Sequence, residues 1–143
     1  MVTSSAEKKE KNVEVILDTS FLMIPHFWKI DIFSELDYLI EGNYNLIIFT
    51  NVIEELENIS KSRGKDGTAA RVALKLLGEM EKRQKVSILK ASGGVDSSIL
   101  NYIEGNSSKD LILCTNDYEL KKRAKKLGCR IITLREKDRI DFA

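Results

Sequence analysis

From residue 13 onward, short apolar runs alternate with longer stretches in which apolar residues recur every three or four positions. That alternation predicts strands separated by single helices. Strands are expected at 13–17, "YNLIIF" (44–49), "VSIL" (86–89), "DLILCT" (110–115) and "RIITL" (130–134). A helix is expected over 30–41, with Phe33, Leu36 and Ile40 on its inner face and Gly42 as its stop. Thr50 or Asn51 is expected to cap the next helix, running to Ser60, after which "KSRGKDG" supplies a solvated linker with two glycines. Over 68–83, Ala69, Val72, Ala73, Leu76, Leu77 and Met80 form a broad stripe suited to packing on the sheet. Helices over 96–104 and 117–127 follow, the second burying Leu120, Ala124 and Leu127 and ending at Gly128. The closing stretch "REKDRIDFA" carries no periodic signal.

Strands joined by single helices must run parallel, which sends all their exits to one edge of the sheet. The expected fold is therefore α/β, a three-layer α/β/α sandwich around a central five-stranded parallel sheet. Residues 1–12, "MVTSSAEKKEKN", read as a frayed, solvated tail ahead of a single domain over 13–143. Ligands of such sheets bind at the edge where the strands exit.

Composition narrows the function classes. Of the 143 residues, 43% are hydrophobic and 31% charged, as in an ordinary soluble domain. With 23 basic against 22 acidic residues the net charge is +1, so a nucleic-acid surface has to come from local clustering. Cys114 and Cys129 lack the short spacing of a zinc or redox motif and are expected as small core residues in a reducing compartment, the cytoplasm. No apolar run reaches the length of a membrane span, and the N-terminus has no apolar segment of the kind a secretion signal needs.

The chemistry gathers at the strand exits. "VILDTSFLM" places Asp18 directly after a buried strand, where a carboxylate must be solvated, hydrogen-bonded or bound to a cation. Asp117 follows the fourth strand after "CTN", Glu54 and Glu55 sit in the first turns of the helix after strand two, and Asp96 opens the helix after "KASGG". Any one of these acids serves as a helix cap or a dipole partner. Four of them at one edge point further, because clustered carboxylates raise one another's pKa and a divalent cation removes that cost. An oxygen-only set without His or Cys suits Mg²⁺ or Mn²⁺. The first strand–helix turn lacks the glycines of a dinucleotide site or a P-loop. His26, the only histidine, has apolar neighbours in "MIPHFWK" and reads as a surface or packing residue.

Taken in order, "VILDTSFLM", "TNVIEELENI", "GGVDSSIL" and "CTNDYELKKRAKKLG" resemble the motifs of the PIN-domain ribonucleases, over about residues 13–134. The resemblance is strongest to the archaeal and eukaryotic PIN proteins related to ribosomal-RNA processing, and VapC-type toxins share the same acids. It implies a metal-dependent endoribonuclease with Asp18, Glu55, Asp96 and Asp117 as catalytic and metal-binding acids, Glu55 being preferred to Glu54. Thr115 and Asn116 would orient the site, Mg²⁺ or Mn²⁺ would be the cofactor, and RNA the substrate. A protein partner, either a processing complex or an antitoxin, is a further expectation, and so is a homodimer. One departure is Ser97, where many relatives carry a second acid after the third-motif aspartate.

An acidic pocket repels phosphate, so an RNA enzyme needs cations around its rim. Lys61, Arg63, Lys65 and Arg71 surround the glycine linker, and Lys121, Lys122, Arg123, Lys125 and Lys126 crowd the helix after Asp117. The same cations are what any solvated helix face displays. Phe27 and Trp28 read as packing or dimer contacts, with base stacking as the other use of such a pair. Two other classes stay open: a receiver-like regulatory domain, which wants an aspartate where "KASGG" stands, and a non-catalytic RNA-binding scaffold on the same fold.

Overall fold

The structure, a computed structural model, describes residues 13–83 and 86–143. The expected tail, 1–12, lies outside the described residues. Strands β1 (Val13–Leu17), β2 (Tyr44–Phe49), β3 (Val86–Leu89), β4 (Asp110–Cys114), β5 (Arg130–Arg135) and β6 (Arg139–Phe142) form one six-stranded sheet in the order β3-β2-β1-β4-β5-β6. The helices are α1 (Thr19–Leu22), α2 (Ile24–Trp28), α3 (Ile32–Leu39), α4 (Thr50–Ser60), α5 (Lys65–Lys82), α6 (Val95–Gly105) and α7 (Tyr118–Lys126).

The first five strands are parallel, and β6 adds to β5 in the antiparallel sense. The expected five-stranded parallel sheet is thus the core of a sheet of six. The sixth strand comes from "REKDRIDFA", where Glu136 and Lys137 both turn with positive φ. Left-handed backbone at two non-glycine residues is uncommon, so the sequence lacks the glycine that usually marks a hairpin. Ile140 then points inward at 2% exposure, and its N–H donates to the Glu35 carboxylate of α3 at 2.9 Å.

β1 is central, and Val15, Ile16 and Leu17 have no exposed surface, as expected for a strand covered on both faces. The chain winds outward from β1 through β2 to β3, then crosses back to lay β4 on the other side of β1. The order therefore reverses between β1 and β4, the place where open parallel sheets leave a crevice at their carboxyl ends.

Three local expectations are corrected. The helix expected over 30–41 is confined to Ile32–Leu39, because Asp31 caps it by accepting from Ser34 N–H at 3.2 Å. Neither Thr50 nor Asn51 caps α4, whose N-cap is Phe49; both side chains are used elsewhere. The linker between α4 and α5 is shorter than "KSRGKDG", since α5 already begins at Lys65 and packs chiefly on α4 and α2 rather than on the sheet. Gly64 makes the break with φ +93°, and Gly67 lies so close to the Ser62 carbonyl that a Cβ there would stand 2.0 Å from its oxygen. Cys114 and Cys129 are buried free thiols. Among the described residues no helix is long and apolar enough to cross a membrane.

Candidate active site

Asp18 and Asp117 leave the sheet on either side of the β1/β4 reversal, each as the N-cap of the helix that follows. The Asp18 carboxylate accepts from Thr19 N–H at 2.8 Å, and the Asp117 carboxylate accepts from Leu120 N–H at 2.9 Å. Capping is therefore real at both, but it uses one oxygen of each. The other oxygen of Asp18, Oδ2, accepts from the Thr115 hydroxyl at 2.6 Å and from the Ser20 hydroxyl at 3.0 Å. Those hydroxyls are themselves fixed: Thr115 Oγ1 accepts from Asp117 N–H at 3.0 Å and Ser20 Oγ from Asn116 N–H at 3.1 Å. A closed network thus locks the exits of β1 and β4 together, reinforced by Asp18 N–H donating to the Cys114 carbonyl at 3.1 Å.

Asp18, Glu55, Asp96 and Asp117 all line one open cleft of about 610 Å³, with Thr19, Ser20, Met23, Gly94 and Ser97 among the other walls. Glu54 does not line it. Asp18 is only 5% exposed. Burial raises its pKa above the ordinary 3.8; the Thr115, Ser20 and Thr19 hydrogen bonds pull it down, and the charge of Asp96 adds to the rise. Asp96 is raised as well, by partial burial and then by the charge of Asp117, with Glu55 adding a smaller push and Arg123 of α7 opposing both. The acids thus feel one another across the cleft.

Two residues missed as site supports explain how Asp96 reaches it. The Thr50 hydroxyl donates to the Ala91 carbonyl and accepts from the Ala91 N–H, both at 3.0 Å. Buried Asn51 donates through Nδ2 to Ser98 Oγ at 3.0 Å and to the Gly93 carbonyl at 3.3 Å. Together they tie the 91–94 loop and the first turn of α6 to the start of α4. Ser20 gave no signal of its own, and Arg123 stood out only as one of the five cations on its helix. For Thr50 and Asn51 the sequence signal was weak, since small polar residues at helix starts first suggest caps.

The remaining candidates disperse. Asn116 turns from the cleft and holds β5, its Oδ1 accepting from Leu134 N–H at 3.0 Å and from the Thr133 hydroxyl at 3.2 Å. Arg71 donates to the Ser60 carbonyl at 2.6 Å and to the Thr68 hydroxyl at 3.1 Å, staples of the α4–α5 turn. Lys61 and Arg63 are exposed on that turn and Lys65 on the first turn of α5. Lys121 leans on the Thr133 hydroxyl at 3.4 Å, and Lys122 is exposed. Phe27 and Trp28 are each 37% exposed, Trp28 under the Lys137 ammonium, and half-buried His26 lies tilted against Phe27 at 57°.

The donor set is oxygen-only and anionic, which fits a hard divalent cation. Among the described residues no three carboxyl groups are close enough to grip an ion by themselves.

A parallel sheet reversing beside β1, with an acid after β1, after β4 and on each neighbouring helix, defines a class, and comparison with known families agrees. The family described as "PIN like domain" matches residues 15–137, and the chain belongs to the PIN-domain ribonuclease family. It is 35% identical to Ribonuclease VapC9 of Archaeoglobus fulgidus over 126 residues, 87% of this chain and 85% of that one. It is 30% identical to Ribonuclease VapC4 of Methanocaldococcus jannaschii over 127 residues, 87% of this chain and 92% of that one. Among solved structures it superimposes on the PIN domain endonuclease Utp24 with a TM-score of 0.68 over 90% of both chains, at 24% identity, a likeness of fold.

Proposed function

We propose that the protein is an Mg²⁺- or Mn²⁺-dependent endoribonuclease that hydrolyses phosphodiester bonds of single-stranded RNA at the acid cleft. The observation that carries this reading is the delivery of four carboxylates from four segments to one cleft, one of them buried and raised in pKa. Capping alone does not demand the cost of a buried charge, and a bound cation would offset that cost.

Asp18 would be the central ligand, oriented by Thr115 and Ser20. Glu55, Asp96 and Asp117 would complete the shell directly or through waters. A divalent ion bound there supplies charge neutralisation for the phosphate and makes a water acidic enough to attack near neutral pH. The chain's own part is to hold the Asp18 carboxyl fixed through Thr115 and Ser20, to keep Asp96 at the cleft through the Thr50–Asn51 tie, and to place Arg123 where its charge acts on Asp96 and offsets part of the repulsion an incoming phosphate meets. Ser97 stands where a further acid would add to the ligand set, and its hydroxyl is suited to holding a water.

Of the biological settings expected, a VapC-type toxin held in check by an antitoxin has the support of VapC9 and VapC4, both named ribonucleases over most of their length. Ribosomal-RNA processing rests on the motif resemblance, since the likeness to Utp24 concerns fold alone. A cytoplasmic location and a homodimer belong to the same proposal. The test is cleavage of unstructured RNA by the purified protein with Mn²⁺, with Mg²⁺ and with EDTA. Cleavage in either metal and none in EDTA is expected; no cleavage of any RNA in either metal would leave the scaffold reading standing instead.

A further inference from the structure

Tyr118 follows Asp117 directly and is the first residue of α7. It is 70% exposed, so the core does not require an aromatic residue there. With Lys121, Lys122 and Lys125 it lines a surface basin of about 230 Å³, closed by Ala143. The spacing of three, four and seven residues puts all four side chains on one face of the helix. No acidic side chain lines this basin, and among the described residues none of the three lysines takes part in an ion pair. Glu119 is a step around the helix, on the side that carries Arg123 four residues later.

An aromatic face bordered by cations suits single-stranded nucleic acid, the base stacking on the ring while lysines take the backbone. Position is compatible with the same occupant, because Tyr118 directly follows Asp117, which lines the acid cleft, while the basin itself is a separate depression beside it. We propose that the Tyr118 basin receives a nucleotide flanking the cleavage position of single-stranded RNA, its base on the Tyr118 ring and its backbone on Lys122 and Lys125. The inference rests on the ribonuclease reading and adds to it the path by which the strand leaves the cleft. Tyr118 is then a positioning residue that fixes the register of the strand, and the acids do the chemistry.

The experiment measures binding of a labelled, unstructured RNA in EDTA by fluorescence anisotropy, with cleavage in Mn²⁺ recorded in parallel. Tyr118→Ala is expected to weaken binding roughly 5- to 150-fold, the range of one lost base stack, while Tyr118→Phe keeps it. An abasic nucleotide walked along the RNA should weaken wild-type binding most at one position, and Tyr118→Ala should be indifferent to that position. Lys122→Gln and Lys125→Gln should each lower the slope of log affinity against log salt by about 0.7. Unchanged binding by Tyr118→Ala, with the wild type still cleaving RNA, overturns the basin and leaves the nuclease reading intact. Failure of the wild type to bind or cleave any RNA overturns both. A poly-glutamate peptide that binds in a Tyr118-dependent way would assign the basin to an acidic protein partner instead.

Discussion

Asp18→Asn separates a ligand from a cap more sharply than any other single change. Asparagine keeps the shape of aspartate and caps a helix equally well, so the Thr19 N–H bond at 2.8 Å survives if the amide oxygen takes the Oδ1 place. The amide nitrogen then replaces Oδ2, which in the native protein accepts from Thr115 and Ser20. A nitrogen donates, so both hydroxyls must rotate to accept, and each loses its own acceptor. Bonds to a charged oxygen contribute about 1.5–3 kcal/mol each and neutral ones about 0.5–1.5, so the local loss is on the order of 2 kcal/mol. Against it stands the relief of a buried charge. The net rise in the pKa of Asp18 says that burial and the Asp96 charge already outweigh those hydrogen bonds. The two effects offset, and the metal-free variant should melt within about 4 °C of wild type, since about 1 kcal/mol moves a domain of this size by roughly that much.

Activity should behave differently. A metal ligand contributes several kcal/mol of charge stabilisation in the transition state. At about 1.36 kcal/mol per factor of ten, losing it cuts cleavage by roughly a thousandfold. The assay pairs thermal melting in EDTA with initial rates of RNA cleavage in Mn²⁺ for both proteins. Cleavage above about a tenth of wild type would show that Asp18 is no ligand and leave it a cap. A melting point lowered by more than about 8 °C without metal would refute the offset between the lost Thr115 and Ser20 bonds and the relieved charge.

Three further outcomes follow from the same geometry. Folded Asp18 and Asp96 bind a proton more tightly than an unfolded carboxyl of pKa 3.8, so the metal-free protein should lose stability as pH rises through their raised values and regain it on acidification; melting curves in EDTA should show this slope in wild type and a shallower one in Asp18→Asn. Thr50→Val removes both bonds to Ala91 at a cost of about 1–3 kcal/mol and should raise the Mn²⁺ concentration for half-maximal cleavage by roughly tenfold, with Thr50→Ser restoring it; an unchanged metal requirement would reduce the tie to a purely structural one. Ile140→Ala should cost about 2–5 kcal/mol of stability on denaturant titration and leave that metal requirement unchanged, because β6 lies at the sheet margin beyond β5.

What the sequence disclosed depended on whether the determining interaction is local. The five parallel strands were legible because burial on both faces writes a continuous apolar run, as in Val15–Leu17 and Leu46–Phe49. The convergence of the acids followed from parallel topology alone, since every exit lies on one edge. The short helices α1 and α2 left no periodic trace in four or five residues, and β6 hides behind a turn built from Glu136 and Lys137 in left-handed conformation. Its burial is decided by α3, more than a hundred residues away in sequence. The supports of the site were invisible for the same reason: Thr50 and Asn51 look like caps, and only the fold shows that their partners are Ala91, Gly93 and Ser98.

Asp18 and Asp117 belong to one unit, because they follow adjacent strands and share the Thr115 hydroxyl, while Ser20 bridges Asp18 to Asn116. Glu55 and Asp96 stand on the other unit, α4 with the start of α6, joined by the Thr50–Asn51 tie. Beside burial, repulsion between the two pairs adds to the raised pKa of Asp96, on which Asp117 acts, and of Asp18, on which Asp96 acts. A cation bound at the cleft would offset that repulsion, so metal binding should stiffen the 91–94 loop more than the β1–β4 junction. Hydrogen exchange with and without Mn²⁺ reads this directly. Protection gained at Ala91–Asp96 while Asp18–Ser20 stays unchanged is the expected pattern, and equal gains at both would mean that the acids close as one body.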